Sequence, residues 1–252
     1  MKKFELTTEF ITNAFGKKLF RIKALVEFGD VKAGELGGYV EKEGNVSQDD
    51  NAWVSGDAEV FGNAKVSGNA KVFGNAKVYD NAWVSDNARV SGDARVYDNA
   101  WVSGDARVYD NAWVFGDARV SGNAWVFGNA RVYDNARVYD NAWVFGDARV
   151  SGDAWVFGNA RVYDNAWVSG DARVSGDADY ALVQGFGTEF RCTTFYRGKN
   201  KKIMVNCGCF HGDLEGFRKQ VKETRNGKIA KEYLMIADLM EYHFTSEDSS
   251  NE

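Results

Sequence analysis

Valine recurs at every sixth position of this sequence from Val54 to Val174, 21 times without a break. An alanine stands two residues before each of these valines. The repeating unit is therefore Asn or Asp, Ala, any residue, Val, any residue, and Gly or Asp. A fixed short period of this kind predicts a solenoid, in which successive units stack on one another.

The chemistry of each slot predicts how the unit folds. Alternate side chains of an extended segment point to opposite sides, so each valine shares one side with the alanine before it. Valine favours a strand, whereas Gly, Asn and Asp tolerate the positive φ of a tight corner. Three strands and three corners close a triangle, so residues 51–176 predict about seven coils and a prism about 34 Å long. The alternative, a disordered low-complexity tract, is disfavoured because such tracts lack an unbroken apolar register.

The outward slots suggest a binding surface. All eight tryptophans stand in the slot before a valine, and arginine or lysine fills most of the other units there. Stacked coils let these residues form cation–π ladders, which either only brace the prism or also present a recognition surface. Residues 18 positions apart share a face of the triangle, and the first, second and third faces are those that contain Trp53, Glu59 and Lys65. The second face adds an uninterrupted aromatic row in the slot after valine. The candidate binding surface comprises Phe61, Tyr79, Tyr97, Phe115, Tyr133, Arg95, Trp113 and Arg131.

This repeat resembles the hexapeptide repeat of left-handed parallel β-helices, and the left hand follows from that resemblance alone. Hexapeptide-repeat acyltransferases and carbonic anhydrases depend on histidines, but the only histidines here, His211 and His243, lie beyond the repeats. We therefore expect no catalytic residues and no cofactor in the prism, and leave open whether the chain is an enzyme. The segment VKAGELGGYV, residues 31–40, resembles the entry segment of uncharacterised phage and bacterial hexapeptide proteins, including the YdcK-like group.

The flanking regions predict two further units. Residues 1–37 predict an N-terminal β cap with strands around Asn13–Gly16, and residues 38–178 the all-β solenoid. Residues 179–244 predict a small ββαα module with a hairpin around Gly198–Lys201 and a helix that Asp213 caps. Residues 245–252 predict a disordered tail. Val46 and Val54 are eight residues apart, which indicates a two-residue insertion near Gln48–Asp50.

The module raises the question of a metal. A turn at Lys199–Asn200 would place Cys192 opposite Cys207, and Cys207, Cys209 and His211 would share one face of a strand. Three thiols and an imidazole form a complete zinc set. The C-x-C-x-H spacing is a weak signal, however, so we predict core thiols and no metal, with a Cys192–Cys207 disulfide as a further alternative.

Composition limits the function. A formal charge of −5 does not favour a nucleic-acid binder, and no apolar run is long enough to cross a membrane. Three cysteines, an odd number, suggest a reducing, cytoplasmic setting. We expect a phage- or prophage-type binding or scaffold protein that contacts a protein partner, host or self, through its Trp/Arg/Tyr faces or its C-terminal module. An inhibitor of a host or defence factor fits that setting, as does a structural spacer. The alternatives are an enzyme with a catalytic C-terminal module and an acidic nucleic-acid mimic.

Overall fold

The computed structural model describes residues 2–188 and 190–245. Between residues 53 and 174 the chain forms 21 two-residue strands that begin every six residues. These strands are numbered β4 to β24 in chain order. They are Trp53–Val54, Glu59–Val60, Lys65–Val66, Lys71–Val72, Lys77–Val78, Trp83–Val84, Arg89–Val90, Arg95–Val96, Trp101–Val102, Arg107–Val108, Trp113–Val114, Arg119–Val120, Trp125–Val126, Arg131–Val132, Arg137–Val138, Trp143–Val144, Arg149–Val150, Trp155–Val156, Arg161–Val162, Trp167–Val168 and Arg173–Val174.

Each strand from β4 to β21 pairs in parallel with the strand one coil later, so valine lies beside valine, as at Val96 and Val114. The pairing produces three sheets, which contain β4 to β22, β5 to β23 and β6 to β24 in steps of three strands. The valines and alanines of the repeat are buried in one continuous core. Residues 53–174 therefore form an all-β parallel solenoid, and the inward assignment of valine is confirmed.

The lead-in segment adds a further coil. Val40 pairs in parallel with Val60, and Val46 forms a parallel bridge with Val66. The offset at both pairs is 20 residues, because the two-residue insertion near Gln48–Asp50 lengthens this coil. The solenoid thus has about eight turns, one more than the prediction of about seven, since the latter counted only the unbroken repeats.

The corners are built from two columns of small polar residues. The first corner residue has a positive φ and is glycine or aspartate, as at Asp80 with φ 59°. The second residue forms side-chain ladders along the edge: Asn63 Nδ2 donates to Asn81 Oδ1 at 3.2 Å, and Asn81 Nδ2 to Asn99 Oδ1 at 3.1 Å. This ladder ends at Asp117, which accepts from Asn99 but has no N–H group to donate further.

The N-terminal cap consists of β1 (Phe4–Thr12), β2 (Lys18–Ala24) and β3 (Leu36–Val40). These strands pair antiparallel and extend the second sheet of the solenoid to ten strands. Buried Lys3 donates from Nζ to three carbonyl oxygens, those of Asp49, Asp50 and Ala52. Desolvation by burial lowers the pKa of Lys3 to about 8. The cap covers the first coil, and β3 spans the predicted boundary at residue 37.

The C-terminal module has a sheet of four antiparallel strands, where the sequence predicts only two. The strands are β25 (Tyr180–Phe186), β26 (Arg191–Arg197), β27 (Ile203–Cys207) and β28 (Phe210–Asp213), and the helices are α1 (Leu214–Thr224) and α2 (Gly227–Thr245). The missed strands follow directly on other elements: β25 begins where the last coil ends, and β28 is a four-residue strand that runs into α1. The Asp213 side chain caps α1 by accepting from Gly216 N at 2.9 Å, as predicted.

The module closes the last coil of the solenoid. Thr194 Oγ1 accepts a hydrogen bond from Trp167 N at 3.0 Å, and Asn206 Nδ2 donates to Trp167 O at 2.7 Å. The opposite side of the module's sheet packs on α1 and α2 through Phe195 and Val205. Within residues 190–245 neither helix is long and apolar enough to span a bilayer. Thr245, the first residue of the predicted tail, is the last of α2, and 246–252 lie outside the described residues.

Candidate functional site

The slot before valine forms arginine–tryptophan stacks. Arginine recurs there every 12 residues at Arg95, Arg107, Arg119 and Arg131, with tryptophan between. One coil is 18 residues long, which is one and a half of these 12-residue periods. The residue 18 positions after an arginine is therefore a tryptophan, so arginine in one coil lies beside tryptophan in the next. The Arg95 and Arg131 guanidiniums lie on opposite sides of the Trp113 ring, each 5.0 Å from its centroid. The predicted cation–π ladders are confirmed.

The 12-residue alternation is interrupted twice, between Arg89 and Arg95 and between Arg131 and Arg137. Each interruption places like residues side by side in neighbouring coils. The first interruption places Arg89 beside Arg107 on the first face. The second places Arg131 beside Arg149 on the second face and Arg119 beside Arg137 on the third. Among the described residues, none of the solenoid's arginines has a carboxylate within 4.0 Å. Each pair therefore leaves exposed positive charge on its face.

The tryptophans also contact the coil before their own. Each of the seven from Trp83 to Trp167 touches the residue 16 positions earlier, which stands after the valine of the preceding coil. Where that residue is serine the indole donates a hydrogen bond, and where it is aromatic the two rings meet edge to face. The pairs are Trp83–Ser67, Trp101–Ser85, Trp167–Ser151, Trp113–Tyr97, Trp125–Tyr109, Trp143–Phe127 and Trp155–Tyr139.

This brace between coils was not predicted. The signal for it lies in the slot after valine, which holds only Ser, Phe or Tyr throughout the repeats. These residue types supply either a hydroxyl acceptor or a ring for an indole to lean on. Much of the tryptophan surface therefore packs against other residues of the prism. The candidate binding face depends mainly on the arginines and the remaining aromatic rings.

The predicted aromatic row of the second face is present as a continuous stack. Neighbouring rings from Phe61 to Tyr133 lie 4.9–5.0 Å apart and within 3° of parallel. Phe61 and Tyr79 are nevertheless buried, with 4% and 9% of their surface exposed. Phe15 at the tip of the β1–β2 hairpin covers both, at ring distances of 5.5 and 5.4 Å.

The first two members of the predicted binding surface are thus part of the cap interface. Burial raises the pKa of the Tyr79 hydroxyl to about 12. Of the predicted surface, Tyr97, Phe115, Tyr133, Arg95 and Trp113 are half-exposed, and Arg131 is exposed. The sequence could not show this, because the hairpin that covers the row lies outside the repeats.

A second aromatic row lies on the first face and was missed by the sequence interpretation. Tyr109, Phe127, Phe145 and Tyr163 stack at 4.9–5.3 Å, and Tyr180 of β25 meets the end of the row edge to face at 6.3 Å. The second-face row begins under the N-terminal cap, whereas the first-face row ends against the C-terminal module. The N-terminal cap and the C-terminal module therefore each pack against one end of an aromatic row.

The predicted pairing of Cys192 with Cys207 is wrong. Thr193, not Cys192, lies opposite Cys207. The hairpin loop closes through Gly198 N and Lys202 O, which shifts the register by one residue. A shift of one residue moves a side chain to the other face of a sheet. Cys192 Sγ accordingly contacts Asn165 O at 3.5 Å on the solenoid side, while Cys207 Sγ accepts from Thr193 Oγ1 at 3.1 Å on the helix side.

The predicted alignment of Cys207, Cys209 and His211 on one strand face is also wrong, because the chain reverses between Cys207 and Phe210. Cys209 is exposed in that turn, and His211 lies opposite Asn206. All three cysteines are free thiols. Residues 2–188 and 190–245 contain no group of three or more His, Cys, Asp or Glu side chains placed to hold a metal ion.

His211 belongs to a polar cluster where the module meets the last coil. Its Nδ1 lies 2.5 Å from Asn206 Oδ1, 3.4 Å from Ser169 Oγ and 3.5 Å from Tyr196 OH. Serine, histidine and asparagine are the residue types of a nucleophilic relay, but such a relay needs serine and its orienting partner on different ring nitrogens. Here Ser169 and Asn206 both contact His211 Nδ1, so the cluster does not have the arrangement of such a relay. Its hydrogen bonds instead connect the module to the last coil of the solenoid.

The module also contains a cavity of about 70 Å³ between the β27–β28 turn and α1. Cys207, Arg225 and Tyr233 are among its lining residues. This volume holds a few water molecules. It brings two thiols, Cys207 and Cys209, to one wall without the imidazole that the predicted constellation requires.

Comparison with known proteins agrees with the coil geometry. The family model of the YdcK beta solenoid repeat matches residues 88–104, 100–116, 106–122, 118–133, 130–146 and 154–170. The chain is similar to the YdcK beta solenoid repeat. No curated protein matches it. The matched segments all lie within the stacked coils and include Arg119, Arg131 and Arg137, whereas Arg149 and the first two residues of the second-face row lie outside them.

Proposed function

We propose that this chain is a non-catalytic binding or scaffold protein whose second face takes an acidic segment of a protein partner. The observation that carries the proposal is the adjacent pair Arg131 and Arg149, exposed and without a carboxylate partner among the described residues. The pair lies beside the half-exposed end of the aromatic row, next to Tyr133. It also lies between the part of the face that the N-terminal cap covers and the part that the module covers.

The chemistry of this face suits a protein ligand. Guanidinium groups bind carboxylates through paired charge-assisted hydrogen bonds. Arginine, tryptophan and tyrosine are the residues that most often dominate protein interfaces. Trp113 is held between Arg95 and Arg131, so the surface is already ordered before a partner arrives. Aspartates at the corners flank each face, which disfavours a long polyphosphate ligand because the positive charge is not continuous.

Further details belong to the same proposal. We propose left-handed coils, as in the hexapeptide-repeat proteins that the sequence resembles, and the six-residue spacing of the strands supports this relationship. A phage or prophage origin is supported by the entry segment at residues 31–40. Three free thiols support a cytoplasmic location. A partner among host or defence factors would fit that setting.

Selection from a random peptide library displayed on beads tests the proposal. We expect wild-type protein to enrich peptides rich in Asp and Glu. Removing both positive charges of the pair in the double variant Arg131→Gln with Arg149→Gln should weaken binding of the enriched peptides by about tenfold or more. The matched control is Arg119→Gln with Arg137→Gln on the third face, which should keep wild-type affinity.

Two outcomes would contradict the proposal. One is enrichment of peptides without acidic residues, and the other is equal affinity for the second-face variant. A parallel titration with single-stranded DNA tests whether the face binds a nucleic acid rather than an acidic peptide. DNA binding that is tighter than peptide binding and is lost in the same variant would replace the protein partner with a nucleic acid.

A further inference from the structure

The outer face of α2 carries an apolar stripe that nothing in the module covers. Met235, Leu239 and Tyr242 are 61%, 58% and 72% exposed. Their spacing of four and three residues places them on one side of the helix. The opposite side of α2, including Ile236 and Met240, already packs in the module's core. The exposed stripe is therefore additional to what the module needs in order to fold.

Charged residues flank the stripe unevenly. Lys228 and Lys231 continue it toward the start of α2, whereas Asp238 and Glu241 lie beside its second half. Arg218 of α1 contacts both of these carboxylates, at 2.8 and 2.6 Å. It also contacts Glu215 at 2.9 Å, so one guanidinium serves three carboxylates and an excess of negative charge remains. The beginning of α2 also contains Glu232, which lies 3.5 Å from Lys228, so among the described residues Lys231 is the lysine at this end without an ion pair. The end of α2 is acidic.

We propose that α2 pairs antiparallel with α2 of a second copy of this chain, about a two-fold axis at Met235. In this arrangement Met235 meets its own counterpart, and Lys231 of one copy lies beside Leu239 and Asp238 of the other. Lys228 likewise approaches Tyr242 and Glu241. A parallel pair would instead bring lysines against lysines, so the charge distribution selects the antiparallel arrangement. Such an interface is isologous, since the same patch serves both copies.

The dimer goes beyond the proposed binding function and does not depend on it, because α2 is remote in sequence from the second-face arginines. It would present two copies of the second face to a partner and thereby raise the apparent affinity for a partner with repeated acidic segments. Three apolar side chains and four charges make a small interface. We therefore expect a reversible dimer with a Kd of about 1–100 µM.

Sedimentation velocity on the full chain between 1 and 500 µM tests the proposal. Wild type should shift with concentration from the chain mass of 28.0 kDa toward twice that value. Leu239→Asp should remain monomeric throughout. Lys231→Glu should weaken the dimer about tenfold, and adding Asp238→Lys to it should restore the affinity by exchanging the two charges. Lys219→Glu, on the exposed side of α1, is the matched control and should dimerise like wild type.

A wild type that stays monomeric at 500 µM overturns the proposal. So does a dimer that persists in Leu239→Asp, since it would place the interface elsewhere. Tyr242→Ser is a second, milder variant that should weaken the dimer, and its circular dichroism shows whether its helices remain folded. The second-face variant Arg131→Gln with Arg149→Gln should dimerise normally, so failure of this proposal and failure of the acidic-segment proposal are told apart.

Discussion

The solenoid and the C-terminal module fix their strand registers in different ways. In the solenoid each strand meets the strand one coil later, so the same six-residue unit sets the register again in every coil. In the module a single loop, Gly198–Lys202, sets the register of β26 against β27. A repeated register can be read from a sequence because one slipped unit would break the valine column. A register that is set once leaves no such pattern.

The largest expected effect comes from a charge in the repeated core. Val114 is fully buried and stacks between the valines of its neighbouring coils. Val114→Asp should destabilise the fold by about 4 kcal/mol or more, because it buries a carboxylate without a partner. Thermal unfolding followed by circular dichroism measures the change. Ser121→Asp, outward in the slot after valine, should change stability by less than about 1 kcal/mol, and equal losses in both variants would contradict the inward valine column.

A smaller effect is expected where the two regions meet. The Asn206 side chain is buried and donates to Trp167 O and Ser169 Oγ. Asn206→Ala should cost about 1–3 kcal/mol, because it leaves a buried carbonyl without its donor. Hydrogen exchange should rise over residues 161–176 while residues 89–120 keep wild-type protection. Asn200→Ala, in the exposed hairpin loop, is the control. Unchanged exchange at the last coil would mean that the module is not fastened through Asn206.

Within the solenoid, the corner ladders predict a difference between two similar residues. Asn81 both accepts from Asn63 and donates to Asn99, whereas Asn135, on the same edge, makes no ladder bond among the described residues. Asn81→Ala should lower the free energy of unfolding by about 1 kcal/mol, and Asn135→Ala by much less. Urea denaturation of the two variants measures the difference. Equal values would show that the ladders do not stabilise the stack.

A further effect concerns the N-terminal cap and appears only at high pH. The folded pKa of Tyr79, about 12, lies above the usual value of 10, so the folded state keeps its proton longer than the unfolded state. This contribution is fully present below pH 10 and is lost as the pH rises from 10 to 12. Tyr79→Phe should therefore lose less stability than wild type over that interval, as measured by urea denaturation at each pH. The same variant should match wild type closely at pH 8, and parallel curves from pH 10 to 12 would contradict the buried environment.

The sequence predicts the solenoid well because every slot of the six-residue unit recurs many times with the same few residue types. The inward valines, the positive-φ corners and the arginine–tryptophan stacks all follow from residue type and a fixed period. The insertion near Gln48–Asp50 is also visible as a break in the valine spacing. What the repeats do not encode is how their ends are closed, so the burial of Phe61 and Tyr79 under the hairpin was not predicted.

The module was predicted less well for physical reasons that particular residues illustrate. Lys201 takes a positive φ of 58° in the β26–β27 loop, which lengthens the turn by one residue and moves Cys192 away from Cys207. The strand β28 is short and contains Gly212, so it lacks the alternation that marks a strand. The candidate face was only partly predictable, because the part of each aromatic row that stays accessible depends on where Phe15 of the hairpin and Tyr180 of β25 pack.

The most direct test of the coiled stack is a pair of distances between spin labels on one edge, in a chain whose three native cysteines are replaced by serine. Cysteines at Asp57 and Asn129 are four coils apart, and cysteines at Asp57 and Asn165 are six coils apart. At a coil spacing of about 4.8 Å, we expect narrow distributions near about 19 and about 29 Å. Broad distributions, or distances that do not grow in proportion to the number of coils, would contradict the stacked solenoid.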